Sequence, residues 1–323
     1  MVAQKSAPPT LIATAPPVQT FTPAPTTTPL PPASLTPAPP TAVPTSTPVL
    51  LYPSATPLPT STTPPTATSM ALAAEQVIGY SVEERPLLAY QFKNGPNHLV
   101  FVGGMHGGYE WNSAALAYEA IAYFTAHSDA IPDSVTLTII PAANPDGLFL
   151  VTGENGRFSP ESVAEIVSGE IPQEETLPGR FNANDVDLNR NWDCDWYRSA
   201  YWQDQWVSGG REPFSEPEVQ ALRDFFLEEP PEVVVFWHSA ANGVFASACG
   251  ERYPASLAAA DVYGLAAGYP VYERFTAYAI TGDAGDWLAR ISIPAITVEL
   301  ASHEGVDWQK NLAGMQALLR LYH

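Results

Sequence analysis

The 323 residues carry 14 basic and 34 acidic side chains, a formal charge of −20. So acidic a chain argues against nucleic acid and anionic membrane surfaces as partners. No apolar run reaches the roughly 18 residues that a membrane-spanning helix needs.

Composition divides the chain near residue 70. Residues 1–70 hold 19 of the 34 prolines, are dense in Thr, Ala and Ser, and have Lys5 as their single charge. A segment so poor in apolar surface to bury is expected to be extended and disordered, either an O-glycosylated stalk outside the cell or an inert linker. The first ten residues lack the apolar stretch of a signal peptide, so a secreted or cell-surface location is read from the stalk alone. Residues 71–323 have the composition of one folded domain with a full core. All 34 acidic residues fall there, against 13 basic ones. The excess serves solubility, with attraction of cationic peptides as the alternative. The two cysteines, Cys194 and Cys249, would pair as one disulfide in an oxidising compartment or stand as two buried thiols.

In chain order, apolar β-branched runs predict strands over Leu87–Phe92, His98–Gly103, Val135–Pro141, Val233–Trp237 and Ala295–Leu300. Helices are expected over Ser113–Phe124, from Ser215 onward, and from about Val306 to Leu321. At the second of these, Ser215 reads as an N-cap with Glu218 closing a capping box. Strands alternating with helices predict an α/β fold: a mixed, mostly parallel twisted sheet with helices on both faces. Ligands of such sheets sit outside the carboxyl ends of the strands.

Two histidines stand at those ends. His106 follows Leu99–Met105, and His238 follows Val233–Trp237. Glu110 lies four residues after His106, and together the three would supply a catalytic zinc with nitrogen and oxygen ligands. Glu299 closes the strand Pro294–Glu299, where an apolar setting makes a carboxylate costly unless it has a task; a general base beside a metal is one. Arg190, in Asp187–Trp192, has the planar fork that clamps a carboxylate in bidentate fashion. Asn144–Gly147 is a tight-turn signal.

These landmarks, together with Val186–Asn191, Pro213–Glu218, His238–Ser239, Tyr278 through Asp286–Trp287, and Thr297–Leu300, resemble the zinc carboxypeptidase family in their order over nearly all of residues 76–323. The resemblance implies a metallocarboxypeptidase with one zinc ion per domain. His106, Glu110 and His238 would be its ligands, and Glu299 the base that moves the proton of water. Asn189, Arg190 and the mobile Tyr278 would grip the terminal carboxylate of a peptide. Arg180 would stabilise the oxyanion, and Asp187 would orient His106. Asp283, in the stretch that lines the family's side-chain pocket, would pair with a cationic side chain or serve as a turn residue. Most members place the glutamate three residues after the first histidine; here it is four, which requires a bulge at Gly107–Gly108. Two rival readings remain open on the same residues. One is a zinc amidohydrolase acting on murein peptides or small acylated amino acids, and the other an inactive binding module.

Overall fold

The five predicted strands all form, in a computed structural model that describes residues 73–158 and 172–323. The composition-based stalk, residues 1–70, lies outside the described residues. The strands in chain order are β1 (Ala74–Tyr80), β2 (Pro86–Phe92), β3 (Asn97–Val102), β4 (Val135–Ile140), β5 (Ser199–Trp202), β6 (Gln205–Ser208), β7 (Val233–Ser239), β8 (Gly243–Ala246), β9 (Val271–Tyr272) and β10 (Ala295–Leu300). Eight of these make one sheet in the order β1-β2-β4-β3-β7-β10-β8-β9, while β5 and β6 form a separate hairpin. The central run β4-β3-β7-β10 is parallel, as is β8-β9, so the sheet is mixed and mostly parallel.

Strand alternation divides the core between two faces. Leu99, Phe101, Val233, Val235, Trp237, Ile296 and Val298 point to one face. There they meet α1 (Trp111–Ala126), α4 (Pro254–Ala267) and α6 (Trp308–Leu321). Val100, Val102, Val234, Phe236 and Ala295 point to the other, against α3 (Pro217–Glu228) and α5 (Ala284–Arg290). Helices therefore cover both faces. On the first, α6 and α4 approach closely because residue 314 has no side chain. A Cβ on Gly314 would come within 2.7 Å of the Tyr263 ring. That ring's hydroxyl accepts from Trp237 Nε1 (3.1 Å) and donates to Asn311 Oδ1 (2.7 Å), so the buried polar atoms are paired.

Two local expectations are corrected. The turn signal Asn144–Gly147 opens a helix, α2 (Pro145–Thr152): Asn144 Oδ1 accepts the Gly147 N–H at 2.9 Å as its N-cap. The capping box at Ser215 does not form. Glu216 occupies the N-cap of α3, and Ser215 Oγ donates to the Glu216 carboxylate instead. Glu218 turns inward, fully buried, and accepts from the Val82 N–H and Asn182 Nδ2, each at 3.1 Å.

Burial pushes the Glu218 carboxyl up to about 7. The native state therefore binds a proton more tightly than the unfolded chain, whose glutamate titrates near its ordinary value. Stability from this group is full at acid pH and falls as pH rises through about 7, by an amount on the order of 3 kcal/mol. Thermal melts at pH 5 and pH 8 should show the wild type losing stability between them, and Glu218→Gln losing markedly less. Equal losses in both proteins would show that the pH dependence arises elsewhere.

Candidate metal centre and substrate cleft

Three adjacent parallel strands, β3, β7 and β10, bring the chemistry to one edge of the sheet. His106 follows β3, His238 lies near the end of β7, and Glu299 sits opposite His238 in the β7–β10 register. Glu110 joins them from a 3₁₀ turn, Gly107–Glu110. This turn is how the extra residue between His106 and Glu110 is absorbed. Gly107 adopts a left-handed φ of +43° and packs so tightly that a Cβ would lie 2.5 Å from Gly179 O. The turn ends by directing Glu110 back to the histidines.

His106 Nδ1 lies 2.7 Å from Glu110 Oε1, His238 Nδ1 lies 3.0 Å from Glu110 Oε2, and the two Nδ1 atoms are 3.2 Å apart. All three side chains are buried. Ligands about 2.1 Å from a tetrahedral zinc are separated by about 3.4 Å, so these three atoms need only a small expansion to admit the ion. The donor set, two imidazoles and one carboxylate, is that of a catalytic zinc site with a position left for water. The residues present fit the metal.

The surroundings hold the donors in place. Glu110 also accepts from the Ser239 N–H. Burial alone would raise its carboxyl, but the facing His106 and His238 outweigh that and hold it well below the usual range. Asp187 is fully buried; Arg180 donates to its Oδ2 from Nε (3.1 Å) and NH2 (2.8 Å), and the Asn189 N–H donates to its Oδ1. The His106 Nε2 stands 3.3 Å from that same Oδ1, an ion-pair distance without hydrogen-bond alignment. Asp187 thus backs the ring from behind. Arg180, expected near the oxyanion, lies with its guanidinium 4.3 Å from the centre of the Trp202 ring and NH1 3.7 Å from Glu110 Oε1. Glu299 Oε2 accepts from the Ala241 N–H at 3.1 Å. Burial and the charge of Glu110 together raise its pKa.

A cavity of about 490 Å³ opens on the triad and is lined by every other site residue expected from the sequence except Asp187. Arg190 is buried; its Nε donates to Tyr201 O and its NH1 to Asn189 O, leaving NH2 without a partner among the described residues. The Tyr278 ring packs on Phe275, and its hydroxyl is likewise unpartnered among the described residues. Asn189 is engaged at both ends of its amide: Nδ2 donates to Asp283 Oδ2, and Oδ1 accepts from the Ala284 N–H. Asp283 Oδ1 in turn caps α5 through the Asp286 N–H, so both of its oxygens take part in the scaffold. Asp286 and Arg274, which sequence reasoning left without a role, line the same cavity. Burial, then the neighbouring Asp283, push the Asp286 carboxyl up to about 8. The pairing of Asp286 with Trp287 was the visible signal; Arg274 carried none. The Cys194–Cys249 disulfide ties the segment after Arg190 to the cavity wall formed by Ala248 and Gly250.

The zinc carboxypeptidase family model matches residues 67–306. Carboxypeptidase B of Astacus astacus is 26% identical over 179 residues, covering 51% of this chain and 53% of the crayfish protein. The γ-D-glutamyl-L-diamino acid endopeptidase 1 of Lysinibacillus sphaericus is 24% identical over 243 residues, 70% of this chain and 60% of that one. The chain thus spans less than two thirds of the length of these curated relatives. Among solved structures, the murein-tripeptide amidase MpaA of Escherichia coli O157 superposes with a TM-score of 0.53 at 23% identity, covering 81% of this chain and 98% of the amidase. At that identity the likeness establishes the fold alone. The family match extends from before β1 to the loop after β10 and so takes in all three converging donors and Glu299. On that match the chain belongs to the zinc carboxypeptidase family.

Proposed function

We propose that this protein is a zinc-dependent carboxypeptidase that releases single residues from the C-terminal end of peptides. The observation that carries this reading is Arg190, a buried cation whose one free edge faces the cavity that also holds the triad and Glu299. A buried guanidinium fork with an open edge is built for a carboxylate.

His106, Glu110 and His238 would hold one ion. When bound, zinc supplies Lewis acidity that polarises the scissile carbonyl and lowers the pKa of water. Glu299 takes the proton from the attacking water and returns it to the leaving amine. Arg190 pairs with the terminal carboxylate through NH2, with Asn189 beside it and the Tyr278 hydroxyl closing on it. Arg180 offers positive charge where the oxyanion develops, and Asp187 keeps the His106 ring oriented. The departing side chain enters the part of the cavity lined by Asp283, Asp286 and Arg274. Residues 1–70 act as a stalk, and a disulfide in the domain suits an extracellular setting.

A second reading is favoured by one feature of that side-chain pocket, which carries Asp286 and Arg274 together. With Asp283 lining it as well, the pocket offers an acidic side chain and the Arg274 cation to the second amine of a diamino acid and to a further carboxylate; a diamino acid is the residue named for the Lysinibacillus relative. The test compares blocked dipeptides ending in Phe, Leu, Lys, Arg or Glu with a γ-D-glutamyl-diamino acid peptide, each with and without chelator. Chelator-sensitive release from the dipeptides supports the general carboxypeptidase; cleavage of the γ-glutamyl peptide alone supports the murein reading. Arg190→Ala is expected to lower kcat/KM about 100-fold, mostly through KM, on substrates with a free C-terminus. A C-terminally amidated peptide, already poor, should lose little more in the variant. An equal loss on both would remove Arg190 from carboxylate recognition.

A further inference from the structure

His303 lies on the loop after β10 and lines the cavity, yet neither the sequence reading nor the proposed mechanism uses it. Its neighbours fix which ring nitrogen carries the proton. Asn112 Nδ2 donates to Ser302 O and Gly305 O, both at 2.8 Å, so Asn112 Oδ1 is the acceptor end of that amide. Ser239 Oγ stands 2.9 Å from Asn112 Oδ1 and must give its one proton there. What Ser239 offers to His303 Nδ1, 3.0 Å away, is therefore a lone pair. Nδ1 carries the ring proton, and Nε2 of the neutral imidazole is left as an acceptor. Burial lowers the His303 pKa, which favours that neutral form.

Nε2 has no protein partner among the described residues. The ring packs beside Tyr109, with centroids 5.1 Å apart. The charged groups facing His303 are Glu110, Glu304, His106 and Arg180. None of them belongs to the Asn189, Arg190 and Tyr278 set proposed to grip the terminal carboxylate. On the peptidase reading, His303 thus lies near the metal centre and apart from the carboxylate-gripping set, on the side of the acyl portion. An acceptor there rejects carbonyl oxygens and selects N–H groups, which a peptide backbone supplies once per residue.

We propose that His303 Nε2 accepts a backbone N–H from the acyl portion of the substrate and so fixes the register of the peptide across the metal centre. This rests on the peptidase reading above. The test uses a blocked tripeptide ending in the best-released residue, with N-methylation at the first or the second amide on the acyl side of the scissile bond. In the wild type, one of the two methylations should lower kcat/KM about tenfold. In His303→Leu the same methylation should cost about twofold or less, the non-additivity that marks a direct contact. This wild-type comparison needs no variant, so it holds even where leucine disturbs the loop. The proposal is overturned if neither methylation affects the wild type, or if the penalty survives intact in His303→Leu. Chelator-sensitive cleavage of the unmodified tripeptide checks the underlying reading separately, and its absence overturns both.

Discussion

Glu299→Gln should lower kcat by about 10³-fold while leaving the zinc content per chain at the wild-type level. Glutamine is nearly isosteric and can still accept the Ala241 N–H that holds the carboxylate, so the loop and strand have no reason to move. What it lacks is basicity. The residual rate would come from polarisation of the carbonyl and positioning of the substrate, which the variant keeps. KM should change little, because Glu299 bears on the water and leaving group and not on the terminal carboxylate. Metal content by atomic absorption, together with steady-state kinetics, checks this. A variant that retains more than about a tenth of wild-type kcat would show that the base lies elsewhere.

Removing the metal should have an effect as large, and a second readout accompanies it. The structure buries Glu110 between two imidazoles whose Nδ1 atoms are 3.2 Å apart. Zinc would bind this folded arrangement and have no equivalent site in the unfolded chain, where the three candidate ligands are scattered over about 130 residues. Mass action then stabilises the native state by about 4 kcal/mol when free zinc is 1,000 times the dissociation constant. Chelation should abolish hydrolysis and lower Tm, and added zinc should restore both. His238→Ala should be inactive and should show no zinc-dependent rise in Tm. A full Tm response to zinc in that variant would falsify the ligand set.

The central sheet was legible because its strands are continuous apolar runs, the pattern of strands buried on both faces. β7 reads Val-Val-Val-Phe-Trp and needs no context to be recognised. The short strands β8 and β9 were not legible: Gly243–Ala246 and Val271–Tyr272 exist only because β10 and β8 offer them an edge to pair with. The donor residues His106, Glu110 and His238 were visible through their places beside such runs. The fate of Ser215 and Glu218 was hidden, because the capping box is a local preference and the pull on Glu218 is tertiary. That pull comes from Val82 and Asn182, 136 and 36 residues away. His303 had no signal at all. Its proposed role follows from a tautomer, and the tautomer from four hydrogen bonds between segments far apart in sequence.

The order in which the three strands leave the ribosome has a consequence for how activity begins. β3 brings His106, β7 brings His238, and β10 brings Glu299 about 190 residues after the first histidine. Synthesis proceeds from the N-terminal side, so the emerging chain has all three candidate metal donors before it has the proposed base. β10 also lies between β7 and β8 in the finished sheet, and until it inserts, the cleft lacks the strand that carries Thr297 and Glu299. A partly made chain thus carries all three candidate donors in its sequence without the proposed proton acceptor, and the folded sheet that brings them together is complete only when β10 inserts. On the proposed function, the strand order makes the base the last of these residues to join the cleft.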